Sequence, residues 1–339
     1  METQNSPKLK AAIVGCGNIA PMHMQSLQML GVPVVAVCDR EVERTMQYDC
    51  PGRFADCGEM LKTGGFDVLH VCLPHYLHAP VTLEAIAHGV HVLCEKPMAT
   101  TVSDAQRMLA AAEAKGVHLG VIFQNRYNPG TVLVQKALDS GALGKIQGGW
   151  LQVTWNRGGD YYAKSDWRGK WATEGGGALI NQSIHVFDLM NTFFGRMPDH
   201  VEANIANRAH PEIEVEDVAE GVIYYGDVKI TFYANTIHPY DAPAELGLFC
   251  ENGMATITGS SARIQYNDGR TETAAEEEDS KFALIKNYWG RSHARQIQDF
   301  YKSLSNDKIP TICGAEALKT QMLINGIYES AKAGERIDF

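Results

Sequence analysis

The segment Gly175-Gly176-Gly177-Ala178-Leu179-Ile180-Asn181-Gln182-Ser183-Ile184-His185-Val186-Phe187-Asp188 sets polar groups into an otherwise apolar run. At ~3.6 residues per turn, Asn181, His185 and Asp188 fall on one face of a helix. The ordinary histidine pKa lies close to neutrality. An imidazole flanked by two hydrogen-bonding groups therefore suits general acid–base chemistry, with a neighbour to orient the ring. The glycines ahead of it let backbone approach another group closely. Alone, such a histidine reads as a core residue satisfied by a neighbour. Two stretches upstream reverse that reading.

The first is N-terminal. Leu9–Val14 reads as a short buried strand that runs into Gly15-Cys16-Gly17-Asn18-Ile19-Ala20, which fits G-x-G-x-x-A, and then into helix-like sequence to Leu30. A second apolar run, Val32–Cys38, ends at Asp39, 24 residues after Gly15. This is the strand–turn–helix–strand–acid context of a dinucleotide site. Gly15 allows the tight turn, and Gly17, with Asn18 and Ile19, brings backbone to the pyrophosphate at a helix N-terminus. Ala20 keeps helix and strand close. Asp39 accepts hydrogen bonds from a ribose diol and repels a 2′-phosphate, so NAD is expected over NADP. Arg40 acts the other way, since a guanidinium there pairs with that phosphate or stacks on adenine.

The second stretch, Val92-Leu93-Cys94-Glu95-Lys96-Pro97, is a hydrophobic strand ending in a charged pair and a proline. In an open parallel sheet that end is the ligand edge, and a cis X-Pro bond would fix the lysine's aim. The competing reading is a surface ion pair at a strand end.

The elements that must position these residues change character along the chain. Up to about residue 125, strands alternate with helices, Ala79–His88 and Ser103–Lys115 among them, as in a doubly wound parallel sheet. From Lys145 the strands lengthen and alternate: Ile146–Trp155, His200–Ala206, Ala219–Ala234, Glu245–Thr258 and Arg263–Tyr266. Gly226-Asp227 marks a hairpin. The expected architecture is an N-terminal Rossmann domain over 1–125. An α+β domain over 126–339 follows, whose mostly antiparallel open sheet is covered by helices on one face. The C-terminal helix and tail are candidates to pack back on the first domain.

Taken together, Gly15–Ala20, Glu95-Lys96-Pro97 and the triple glycine with His185-x-x-Asp188 resemble the Gfo/Idh/MocA oxidoreductase family. The likeness extends through Asp67–Pro74 with His78, through Phe123-Gln124-Asn125-Arg126-Tyr127-Asn128-Pro129, and from His293 through Asp299-Phe300 to Gly334-Glu335-Arg336-Ile337. It covers nearly the whole chain and implies a cofactor surface that adds Leu73, Pro74, His78, Glu95, Lys96 and Gln124. It also implies that Lys96 contacts the reacting hydroxyl near the nicotinamide and that His185 is the acid/base. Arg126 then belongs on the substrate side. Asn181 departs from the family's commoner aspartate four residues before the histidine. An amide orients but cannot take a proton, so a Lys/His pair replaces a triad, with the base left open between its members.

Trp155-Asn156-Arg157-Gly158-Gly159-Asp160-Tyr161-Tyr162 and Asp166-Trp167-Arg168-Gly169 interleave aromatics with arginines and amides. Ring faces suit sugar C–H surfaces and polar groups suit hydroxyls, so Arg157, Tyr161, Trp167 and Arg168 join Asn181 and Arg126 as candidate substrate contacts. The competing reading is an anchored structural loop. The net charge of −10 excludes an ordinary nucleic-acid partner. No run is long enough to cross a membrane, and the polar leader at 1–8 reads as no secretory signal. The acidic run at 276–279 reads as a solvated loop, not a calcium site. Eight cysteines without metal or C-x-x-C spacing read as reduced core residues of a cytoplasmic protein. No metal site is expected.

The expected reaction is hydride transfer between NAD and a secondary alcohol or ketone of a sugar, sugar derivative or cyclitol. Rival readings are glycoside cleavage by transient sugar oxidation, and a non-catalytic NAD-binding regulator, which would not need Lys96 and His185. Apolar residues such as Ile223, Tyr225, Ile230 and Phe232 in the open sheet imply a homodimer or homotetramer joined sheet to sheet.

Overall fold

The computed structural model of the protein describes residues 9–275 and 291–339, so the leader at 1–8 and the acidic run at 276–279 lie outside the described residues. The chain divides into two compact units. The first runs through Gln124 and resumes up to Leu318; the second starts at Asn125 and takes Lys319–Phe339.

In the first unit β1 (Ala11–Val14), α1 (Ala20–Met29), β2 (Val34–Cys38), β3 (Gly52–Phe54), α2 (Cys57–Thr63) and β4 (Val68–Val71) are followed by α3 (His75–Ala87), β5 (His91–Cys94), α4 (Val102–Lys115) and β6 (Leu119–Val121). The six strands are parallel in the order β3-β2-β1-β4-β5-β6. Chain order therefore reverses between β1 and β4, the switch point at which open α/β sheets bind ligands. β1 and β4 are buried along their whole length, as strands covered on both faces must be. The helix ends follow ordinary capping chemistry: Asp56 caps α2, Thr101 caps α4, and α4 ends on Gly116 in the left-handed region.

The second unit contributes α5 (Pro129–Asp139), β7 (Ile146–Thr154), α6 (Gly159–Ala163), α7 (Ile184–Phe194), β8 (His200–Ala206), β9 (Val218–Tyr225), β10 (Val228–Asn235), β11 (Glu245–Cys250), β12 (Gly253–Thr258), β13 (Ser261–Tyr266) and β14 (Thr271–Ala274). After α8 (Ser292–Ser305) and α9 (Gly314–Ala333) the chain ends in β15 (Ile337–Asp338). The nine-stranded sheet runs β14-β13-β12-β11-β7-β10-β9-β8-β15, antiparallel except for the β7–β10 pair. The hairpin expected at Gly226-Asp227 joins β9 to β10. The expected single strand Glu245–Thr258 is two strands, because Glu251-Asn252 turns the chain and Cys250 pairs with Gly253.

Alternation decides which residues α5 and α7 cover. Ile223, Tyr225, Ile230 and Phe232 are all buried on the chain's own helical face. Phe187 meets Phe232 edge-on at 5.3 Å, Phe194 stacks on Tyr225 at 3.7 Å, and the Tyr225 hydroxyl donates to Asn191 Oδ1 at 2.8 Å. These four residues therefore carry no argument for a partner. The opposite face bears Trp150, Val222, Tyr224 and Tyr233, partly buried, with Phe249 exposed, among Lys229, Thr231 and Gln265.

Segment 291–318, placed by sequence pattern in the second domain, packs in the first unit, whereas the tail expected to pack back stays in the second, where β15 pairs with β8. The cause is side-chain chemistry on α8. Gln296 Nε2 donates to the Val121 carbonyl at 2.7 Å and its Oε1 accepts from Phe123 N at 3.0 Å, continuing the sheet's hydrogen bonding past β6. Phe300 lies over Gly120, where a Cβ would come within 2.8 Å of the ring. Replacing Gln296 by Leu removes both buried bonds and is expected to destabilise the protein by about 2–3 kcal/mol. Denaturant titration checks this, and a loss under about 0.5 kcal/mol would show that α8 is held by Phe300 alone.

Candidate active site

The nucleotide-binding half lies at the carboxyl edge of the first unit. Gly15 has φ +87°, and a Cβ there would sit 2.4 Å from the Cys72 carbonyl oxygen, so both conformation and space demand glycine. A Cβ on Gly17 would meet nothing within 4 Å, which leaves the outer side of the turn clear. Asp39 is buried; Oδ2 accepts from Cys16 N at 2.8 Å and Oδ1 from Glu41 N at 2.9 Å. The carboxylate thus locks the glycine turn as well as offering its remaining lone pairs to a ribose. The Arg40 side chain is 69% exposed, 3.9 Å from Glu41. Burial, with Asp39 beside it, pushes the Cys16 thiol up to about 12, so it is packing rather than a nucleophile. Leu73 and Pro74 follow β4 and are partly buried. Gln124 is buried, and its Oε1 has no hydrogen-bond partner. A clear turn, a fixed carboxylate and an orphaned amide oxygen fit a dinucleotide with a carboxamide-bearing head.

Behind this edge lies a polar network that sequence reasoning missed. His23 Nε2 meets Glu95 Oε1 at 2.9 Å, and His293 Nε2 lies 3.5 Å from the same oxygen. His23 Nδ1 meets His70 Nδ1 at 2.8 Å, and His70 Nε2 meets the Tyr301 hydroxyl at 2.9 Å. All five side chains are buried. Burial alone would raise the Glu95 pKa, but the bonds from His23 and His293 outweigh it and hold the carboxyl well below its usual range. Burial and the neighbouring His23 hold His70 well below the usual histidine range. Glu95 Oε2 also accepts from Lys96 N at 3.3 Å. Glu95 is therefore a support for Lys96. Between Val92 and Ala99, Lys96 is the one residue not fully buried, and the Lys96–Pro97 bond is cis.

His78 also works from behind. Its Nδ1 is 2.6 Å from the Pro97 carbonyl and its Nε2 is 2.8 Å from the Leu73 carbonyl, so the buried ring ties the loops after β4 and β5 together. Burial lowers its pKa.

In the second unit Ala178–Ser183 forms a π-helical segment leading into α7. Asn181 lies in this segment, one turn before His185 at the start of α7. Asp188 does not orient His185. It is fully buried and receives Arg126 Nε and Nη2, each at 2.7 Å, with Thr320 Oγ1 at 2.9 Å. Arg126, expected at the substrate, presents its bidentate edge to this carboxylate instead. Within Ala178–Asn191, His185 is the only side chain that is not fully buried.

The triple glycine answers to its own unit. A Cβ on Gly176 would lie 1.9 Å from the Tyr328 hydroxyl, and one on Gly177 would lie 2.1 Å from the Glu216 carbonyl oxygen. Glu216, buried and overlooked in the sequence, accepts from Gly177 N, Leu179 N and the Tyr328 hydroxyl, each at 2.9 Å. Close approach is thus to Tyr328 and to the segment before β9, which fixes where α7 begins.

Four of the five remaining substrate candidates gather around one phenol. The Tyr161 hydroxyl accepts from Asn181 Nδ2 at 3.2 Å and from Gln182 Nε2 at 2.9 Å. Asn181 also donates to Glu174 Oε1 at 2.6 Å. Arg157 bonds Gln182 Oε1 and Asp241, and its guanidinium lies over Trp155 and Tyr161. Arg168 lies over Tyr161 and Trp167, which brings in the fifth. Gln182, Glu174 and Asp241 were missed; only Gln182, beside Asn181, carried a local signal.

Burial pushes Glu216 up to about 7 despite its three donors. In the unfolded chain the same carboxyl ionises near 4.5, so the folded state binds the proton more tightly. Its contribution is fully present below that value and is lost as pH rises toward about 7. Thermal unfolding across this window should show wild type losing stability relative to Glu216→Gln as pH rises. Parallel curves would contradict the assignment.

The model of the oxidoreductase family with NAD-binding Rossmann fold matches residues 9–123, and that of the GFO/IDH/MocA C-terminal domain matches 131–256. D-apiose dehydrogenase of Rhizobium rhizogenes is 26% identical over 351 residues, spanning 98% of each chain. Inositol 2-dehydrogenase of Salmonella typhimurium is 33% identical over 273 residues, 76% of each chain. The WlbA dehydrogenase from Bordetella pertussis, solved in complex with NADH and UDP-GlcNAcA, superposes with a TM-score of 0.85 at 29% identity, covering 98% of this chain and 99% of that one. With an NAD-type glycine turn, a matching C-terminal sheet domain and these relatives, the chain belongs to the GFO/IDH/MocA family of oxidoreductases.

Proposed function

We propose that the protein interconverts a secondary alcohol and a ketone on a sugar, sugar derivative or cyclitol, with NAD as hydride partner. The observation that carries the reading is a repeated exposure pattern. Lys96 and His185 are each the one accessible side chain in a buried run, and each run is anchored from behind by a carboxylate. Relatives named for D-apiose and inositol support a polyol substrate, as does the phenol–amide–guanidinium cluster.

Bound NAD supplies the hydride acceptor. Gly15, Gly17, Asn18 and Ile19 would hold its pyrophosphate and Asp39 its ribose, with Leu73, Pro74 and Gln124 toward the nicotinamide. Lys96 donates to the alcohol oxygen and stabilises negative charge developing there. His185 takes the hydroxyl proton, since an imidazole is neutral at physiological pH while a lysine would need a strongly lowered pKa. Asn181, held by Glu174 and Tyr161, orients the substrate beside it.

The test is NAD reduction over a panel of sugars, sugar acids and cyclitols. Lys96→Ala and His185→Ala should each lower turnover by about two to four decades with NAD affinity unchanged, and NAD should bind at least about tenfold tighter than NADP. No reduction with any compound, or His185→Ala with near-normal turnover, overturns the reading.

We place the protein in the cytoplasm, since all eight cysteines are free thiols; no helix among the described residues is long and apolar enough to cross a membrane. We also propose a two-fold homo-oligomer through the outer face of the sheet, where Phe249 is 48% exposed beside Trp150. Light scattering should give a multiple of 37.2 kDa, and a monomer at micromolar concentration contradicts it.

A further inference from the structure

Two arginines flank Tyr161, and only one is neutralised. Arg157 lies 4.9 Å over Trp155 and 5.4 Å over Tyr161, and Asp241 meets its Nη1 at 2.7 and 3.0 Å. Arg168 is held in the same way, its guanidinium 4.3 Å over Tyr161 and 4.9 Å over Trp167. It has no carboxylate partner among the described residues, and its Nε is buried without a hydrogen bond. Glu174, which holds Asn181, is occupied: its oxygens take Asn181 Nδ2 and Gly169 N. Arg168 is thus a partly buried cation whose position is fixed and whose charge is unmatched.

Such an arrangement is costly. Removing a guanidinium from water without a counter-charge costs several kcal/mol, and contact with aromatic faces returns only about 0.5–2 kcal/mol. The two rings also restrict what can complete it. Held against the two rings, the guanidinium still has a fork whose geometry matches two oxygens of a planar anion. The location is continuous with the proton-handling helix, since the Tyr161 hydroxyl bonds Asn181, four residues before His185.

We propose that Arg168 is the anion-recognition residue of the substrate site and that the substrate is a sugar acid, its carboxylate seated on the edge of this guanidinium. The inference rests on the oxidoreductase reading for the role of the site, but not for the anion. A carboxylate is favoured over a phosphate monoester by charge. One positive charge is uncompensated here, whereas a dianion needs two, and Arg157 is already matched by Asp241.

The test pairs hexuronates and aldonates with their neutral parent sugars and with hexose phosphates. It measures both NAD reduction and calorimetric binding to the NAD-loaded protein. At least one acid should exceed its neutral parent by 100-fold or more in kcat/KM. Arg168→Gln should raise KM for that acid at least 50-fold with kcat within a few-fold, change kcat/KM for the neutral parent far less, and retain NAD affinity. Arg168→Lys should recover part of the loss. Acid binding that depends on Arg168 without NAD reduction would uphold the anion site while removing the oxidoreductase reading. A neutral sugar preferred and unaffected by Arg168→Gln, a phosphate preferred over every carboxylate, or no acid binding that depends on Arg168 overturns the proposal.

Discussion

A carboxylate taken out of water keeps its charge only if donors surround it, and the two carboxylates behind Lys96 and His185 solve this differently. Glu95 is ringed by His23, His293 and the Lys96 backbone N–H, and stays ionised. Glu216 has two backbone N–H groups and a phenol, but burial outweighs them and it titrates near neutrality. In both cases the carboxylate bonds backbone N–H groups in the segment that carries a side chain proposed to handle the proton. The proposed catalytic pair is thus carried by interior polar networks.

That dependence explains what the sequence revealed and what it hid. The dinucleotide site was legible because its requirements are local: a turn with φ +87° at Gly15, a clear approach at Gly17 and an acid at the end of the next strand. The sheet of the second unit was legible from alternation, down to the Gly226-Asp227 hairpin. His23, His70, His293 and Tyr301 were not, because they come from three elements distant in sequence and meet only in the folded unit. Glu216 was hidden likewise, 39 residues from the glycine it serves. The helical-face argument failed at Asp188, whose carboxylate pairs with Arg126 from a distant segment and not with His185. The return of α8 to the first unit rests on Gln296, whose amide pairs with backbone, and a lone glutamine carries no such signal.

Specificity has a different origin. The aromatic and arginine residues between β7 and the glycine segment read in the sequence as a general sugar-binding mixture. In the fold they are an ordered stack around Tyr161, with one guanidinium neutralised by Asp241 and the other not. The residue types announced carbohydrate chemistry; the pairing of charges, visible only in three dimensions, points to an acid.

The central claim is direct hydride transfer between substrate carbon and NAD, with Lys96 and His185 handling only the hydroxyl proton. Its most direct test is a single-turnover reaction with an alcohol deuterated at the reacting carbon, followed by mass spectrometry of the cofactor. The label should appear in the reduced nicotinamide, one mass unit heavier, with none in water. Deuterium released to solvent, or a cofactor that stays unlabelled while product forms, would contradict it.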